Sequence, residues 1–186
     1  MHLTLAKAHR LMGQVLGSEA VTLQNYVGRV VEDSITCGIS LGADGVLYYD
    51  PSWWELHIDT PEKAKHVILF EVMKKILGVD KRSGDWITRV AVGSVVNSYL
   101  YSSFGFHELP RALYSANELP ECLLRPNARG YHSRLKRLYR GIWNREERFT
   151  SISNVENALR ILFKDSSLIP EGVDPEDVDV PGFEQG

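Results

Sequence analysis

Cysteine is scarce in this chain. Its two copies, Cys37 and Cys122, are far apart and form no C-x-x-C pair, so no disulfide framework is expected and a reducing compartment is the simpler reading. Long apolar runs are missing too: none approaches the roughly 18 residues of a membrane span. The N-terminal stretch MHLTLAKAHRLMGQ is interrupted by too many polar side chains to be a signal-peptide core. These absences lead us to expect a cytoplasmic protein with no membrane partner. Nor is there an excess of one charge: 21 Lys and Arg face 24 Asp and Glu, a net charge of −3, which excludes a polycation. VLGSEA lacks the lysine and the spacing of a phosphate-binding loop, and no serine shows a readable histidine–acid arrangement. What is present is ordinary for a globular protein, 44% hydrophobic and 24% charged over 186 residues, long enough to bury a core without staples.

Periodicity predicts mostly helix. Apolar side chains at Leu5, Met12, Val15 and Leu16 predict a helix over 3–16. Leu23, Tyr26, Val27, Val30 and Val31 predict a second over 23–32. SITCGISLGADGVLYYDP then reads as a β-hairpin: strand 35–41, a turn at Ala43-Asp44-Gly45, strand 46–49, and a stop at Asp50-Pro51. Thr60 as cap, Pro61 at the first helical position and Gly78 as stop delimit the next helix. A further helix is predicted over 85–101. Its interior Gly93 is unusual, because glycine there costs about 1 kcal/mol relative to alanine. The proline-bearing segment 109–130 reads as a loop. A basic helix follows over 131–143, with Tyr131, Leu135, Leu138, Tyr139 and Ile142 as its apolar stripe. Ser153 and Glu156 fit a capping box for a last helix ending near Lys164. Residues 165–186 contain seven acidic side chains and no Lys or Arg, which reads as an extended acidic tail. The expected class is α+β, mostly helical, with helices packed on a short antiparallel hairpin: one domain over 1–164, then the tail.

The helix after Pro61 contains Phe70-Glu71-Val72-Met73-Lys74. A zinc-protease helix has the pattern H-E-x-x-H, in which residues four apart share one face and one ion, and the glutamate activates the bound water. Here Phe70 has no lone pair to donate, and a protonated Lys74 repels a cation. No two of the six histidines, His2, His9, His57, His66, His107 and His132, are four apart. No metal and no other cofactor is expected. Read plainly, Glu71 is a helix residue paired with Lys74 or Lys75, a contact worth about a few tenths of a kcal/mol on a surface.

The order and spacing of these segments carry a resemblance. The hairpin end ADGVLYYDP, the helix FEVMKKILGV, the helix segment AVGSVVN, and the stretches NELPECLLRP and RLKRLYRGIW together resemble the zincin-like metallopeptidase domain that precedes von Willebrand A-like domains in a bacterial and phage family. The similarity covers residues 23–143. Glu71, Val72, Leu77, Gly78 and Asn97 match that family's pattern. Its three histidine positions are occupied by Phe70, Lys74 and Val79, and its aspartate position by Gly93. The resemblance implies a zincin-like fold whose catalytic face has been dismantled, with Glu71 as a relic. It also implies a role in assembly or regulation, since the family is associated with AAA+ ATPases. No von Willebrand A-like half is expected within this length.

Three functions follow as expectations. The first is a catalytically inactive, metallopeptidase-like protein that binds a macromolecular partner, a protein of unknown identity. The second is a zinc hydrolase with unusual ligands such as His66, Glu71 and His107. The third is a nucleic-acid-binding accessory factor using Arg134, Lys136, Arg137 and Arg140, with Tyr131, His132, Tyr139 and Trp143 available to stack on bases. The acidic tail is a candidate partner for the same basic helix. Of Trp53 and Trp54, at least one belongs in the core. Cys37, expected in a strand, and Cys122, expected in a loop, are read as buried and unreactive.

Overall fold

The structure, a computed structural model, describes residues 2–36, 38–79, 85–129 and 133–164. It is α+β and mostly helical, with one small sheet. The described residues form two compact units, one up to residue 79 and one from residue 85. Cys37 and the acidic tail lie outside the described residues.

The first unit opens with α1 (Leu5–Leu16), whose N-cap Thr4 accepts a hydrogen bond from the Lys7 N–H. The short α2 (Ala20–Gln24) follows. The helix predicted over 23–32 is not formed. Residues Arg29–Glu32 make strand β1, which pairs in parallel with β3 (Val46–Tyr49). β-Branched Val30 and Val31 favour the strand, but the pairing that secures it is distant in sequence. Strand β2 (Ile39–Leu41) pairs antiparallel with β3, giving the order β1-β3-β2. The hairpin is therefore present, with a third strand added. Its first strand starts at Ile39 and not at Ile35, which is 88% exposed in a turn organised by Asp33. Gly45 closes the hairpin turn with φ +80°, a conformation few residues other than glycine adopt.

Asp50-Pro51 ends the strand and also starts a helix. Asp50 caps α3 (Pro51–His57) by accepting from the Ser52 N–H, with Pro51 in the first turn. Trp54 of α3 is buried, and Trp53 lies against Gly38. Helix α4 (Pro61–Ile76) begins as its signals predict: Thr60 accepts from the Lys63 N–H and Pro61 takes the first position. Every residue from His66 to Val72 is buried, so α4 is the central rod of this unit, packed against α1 and β2.

The second unit is built on α5 (Trp86–Phe104), capped by Asp85 and ended by Gly105 at φ +74°. The segment predicted as loop contains α6 (Glu108–Leu113) and a single 3-10 turn, Glu121–Leu124. Side chains fix it to its neighbours. Asn97 Nδ2 donates to the Leu124 carbonyl (2.9 Å) and Trp143 Nε1 to the Leu123 carbonyl (3.1 Å). Helix α7 (Ser133–Trp143) buries Leu135, Leu138, Tyr139, Ile142 and Trp143. The last helix, α8 (Ile152–Phe163), is capped by Ser151, not by Ser153. Glu156 is not part of a capping box: its carboxylate accepts from Arg160, which also binds Asp85.

Candidate functional site

Three of the positions singled out in the sequence come together on α4. Glu71 Oε1 lies 2.9 Å from Lys74 Nζ, one turn away, and the side chains are only 1% and 3% exposed. The pairing expected from the i,i+3 spacing is formed, but it is buried and not on a surface. That changes its weight: removing one partner of a buried ion pair costs about 3–5 kcal/mol, because the other charge is left uncompensated. Lys74 Nζ also sits 5.5 Å from the centre of the Phe70 ring, an attractive cation–π geometry. One turn earlier, the buried His66 imidazole lies nearly parallel to Phe70, with ring centroids 6.4 Å apart. His66, Phe70 and Lys74 thus form a ladder at four-residue spacing along one helix face.

The second oxygen of Glu71 is used as well. Glu71 Oε2 accepts the Leu41 N–H at 3.0 Å. In the antiparallel β2–β3 pair, Gly42 N donates to Val46 O and Asp50 N to Gly38 O. The alternation of such ladders turns the Leu41 N–H away from β3, and β2 is an edge of the sheet. Glu71 therefore satisfies a donor that the sheet leaves open. Lys75 completes the junction, with Nζ donating to the carbonyls of Gly42 (2.8 Å) and Ala43 (3.0 Å) in the hairpin turn. Both carboxylate oxygens of Glu71 are occupied by fixed protein groups, an arrangement suited to holding α4 on β2.

The remaining degenerate positions differ in setting. Val79 follows the Gly78 turn, half-buried, its N–H donating to the Lys74 carbonyl. Gly93 is buried within α5 of the second unit. Asn97, which matches the resembled pattern, holds the Leu124 carbonyl. Among the described residues no group of three or more His, Cys, Asp or Glu side chains is placed to share a metal ion; of the set His66, Glu71 and His107, the first two lie on α4 of the first unit and His107 belongs to the second. The His107 Nδ1 instead hydrogen-bonds the Gly105 carbonyl at 2.8 Å.

On α7, Lys136, Arg137 and Arg140 are exposed on the side opposite the apolar stripe. The Arg134 side chain, Tyr131 and His132 lie outside the described part. Tyr139 and Trp143 take the core-facing side of the helix, where the apolar stripe puts Tyr139, and are not available for base stacking. Both are buried; the Tyr139 hydroxyl accepts from the Ala128 N–H and donates to the Arg125 carbonyl. They fall on the same helical stripe as Leu135 and Ile142, and the core takes them. Cys122 is buried, and burial pushes its thiol up to about 12, so it holds essentially no thiolate near neutral pH.

Sequence reasoning missed the Glu71–Leu41 bond and the Lys75 contacts with the hairpin turn, which join segments about thirty residues apart. Comparison of the chain with models of known families, with curated proteins and with solved structures gives no match.

Proposed function

We propose that this chain is a catalytically inactive, metallopeptidase-like protein on a zincin-like scaffold, acting as a binding, assembly or regulatory subunit for a macromolecular partner in the cytoplasm. The observation that carries this reading is the use of Glu71. A general base needs a carboxylate within reach of a water and a reacting group. Glu71 is buried, ion-paired to Lys74 and hydrogen-bonded to the Leu41 N–H. Lys74 supplies a positive charge next to the glutamate, so the carboxylate is compensated by the protein itself. Phe70 fills a neighbouring position with an apolar ring. Among the described residues no helix is long and apolar enough to cross a membrane, which is in keeping with an aqueous partner.

Elemental analysis of the purified, unchelated protein tests this reading. No stoichiometric metal is expected. One zinc per chain, lost together with hydrolytic activity on chelation, would overturn it.

A second reading is favoured by one observation on α7. Lys136, Arg137 and Arg140 form an exposed basic face, able to contact phosphates in a nucleic-acid-binding accessory role. With Tyr139 and Trp143 in the core, this face would bind backbone and not bases. Single-stranded nucleic acid held by about three phosphate contacts should show a log–log salt slope near −2. Charge reversal of Lys136 and Arg140 should abolish binding.

A further inference from the structure

The first unit contains a cavity of about 280 Å³ that is unconnected with the Glu71–Lys74 pair. Its apolar wall comes from Leu11 of α1, Trp54 of α3, Ile58, and Ala64 of α4. Lys7 and Arg10, one turn apart on α1, supply two cations to its lining. One acidic side chain, Asp59, also lines it, but Asp59 is bound to Lys63 at 2.7 Å and so brings no net negative charge. We propose that this cavity binds a small anionic molecule with an apolar body, a carboxylate carried on an alkyl or aryl group, with Lys7 and Arg10 holding the anionic end.

Three further observations support that ligand class. Among the described residues, Lys7 Nζ has a single long hydrogen bond, 3.4 Å to the His2 carbonyl, and an ammonium has three hydrogens to donate. Burial, and then the positive charge of Arg10, push the Lys7 ammonium below its ordinary range; an anion placed between the two cations would offset their mutual repulsion and favour the charged form. Finally, the indole Nε1–H of Trp54 is buried with no hydrogen-bond partner among the described residues, on a side chain only 1% exposed. A buried donor left unmet is unfavourable, and the indole that carries it lines the cavity. The cavity size matches the lower end of small-molecule sites.

The proposal concerns a site some two turns along α4 from Glu71, and it stands whether or not the chain is metallopeptidase-like. Its test uses the full-length protein with sodium octanoate as probe, and octylamine as a cation of matched length. Titrations are followed by calorimetry and by the indole N–H resonance of Trp54, assigned with Trp54→Phe. Saturable binding of one octanoate per chain is expected, with a shift of that resonance and affinity about tenfold or more above octylamine. Lys7→Gln combined with Arg10→Gln should erase the preference, and Ala64→Leu should block both probes by filling the cavity. The α1 substitutions are at the surface and keep the test informative if Ala64→Leu fails to fold. Equal affinity for the two probes, octanoate binding unchanged in the Lys7/Arg10 variant, or no saturable binding would each overturn the proposal.

Discussion

Replacing Glu71 by glutamine keeps the side chain's shape but leaves the Lys74 ammonium buried opposite a neutral amide. The expected loss is about 3–5 kcal/mol of stability, read from the denaturant midpoint. A catalytic glutamate would behave otherwise: its glutamine variant would lose activity with little change in stability. Lys74→Met should also destabilise, and the double variant Glu71→Gln/Lys74→Met should recover part of either loss, since no unpaired charge remains. Double-mutant analysis of the four proteins would check this, and strict additivity would contradict a coupled pair. Cys122 offers a second residue-scale outcome. With its thiol pushed up to about 12, it should resist a thiol-specific reagent at pH 8 until the protein is unfolded. A Cys37→Ala background isolates the measurement.

Helix ends were the most legible elements, because the chemistry that starts and stops a helix is local. Thr60, Pro61 and Gly78 bracket α4 as predicted, and Asp85 caps α5. Signals were misread where one residue serves two neighbours or a partner is distant. Pro51 looked like the end of the hairpin and is also the first residue of α3. Val30 and Val31 fit a helix stripe, yet β3 recruits them into a parallel pair. The pairing of Glu71 with Lys74 was readable from spacing, but its burial was not, since polar residues recur all around α4 and disguise how deeply it is enclosed. Two element-scale outcomes follow. At Gly141 of α7, an added Cβ would collide with the Phe149 ring, so Gly141→Ala is expected to cost about 1–3 kcal/mol in thermal unfolding. At the α5–α8 contact, the Arg160 guanidinium bonded to Asp85 holds that carboxyl below its usual range. A depressed folded-state value means the contribution is fully present above the unfolded value, about 3.9, and is lost as pH falls through the lower folded one. Asp85→Asn should therefore flatten part of the fall in stability on acidification below about pH 4.

Charge is distributed unevenly along the whole molecule. Seven of the 24 acidic side chains are in 165–186, leaving 17 against 21 basic ones in the rest. The net charge of −3 thus becomes positive without that segment. A chain ending at Lys164 should be retained more strongly on a heparin column than the full protein, by more than other truncations of equal length. Equal retention would argue that the acidic segment does not compensate the exposed cations of α7. Fold class was legible at this scale from composition and periodicity. The cavity was not, because it is assembled from α1, α3 and the start of α4, and no local pattern announces such a space.

The bond from Glu71 to the Leu41 N–H has a consequence for self-assembly. An open strand edge is a template on which another chain can add, and proteins that leave one uncovered risk fibrillar growth. Here the β2 edge is plugged at Leu41 by a carboxylate anchored on a buried helix. Swinging α4 away would do more than loosen the core: it would unmask that edge, so variants that weaken the Glu71–Lys74 pair should form thioflavin-positive aggregates sooner than equally destabilised variants elsewhere in the chain.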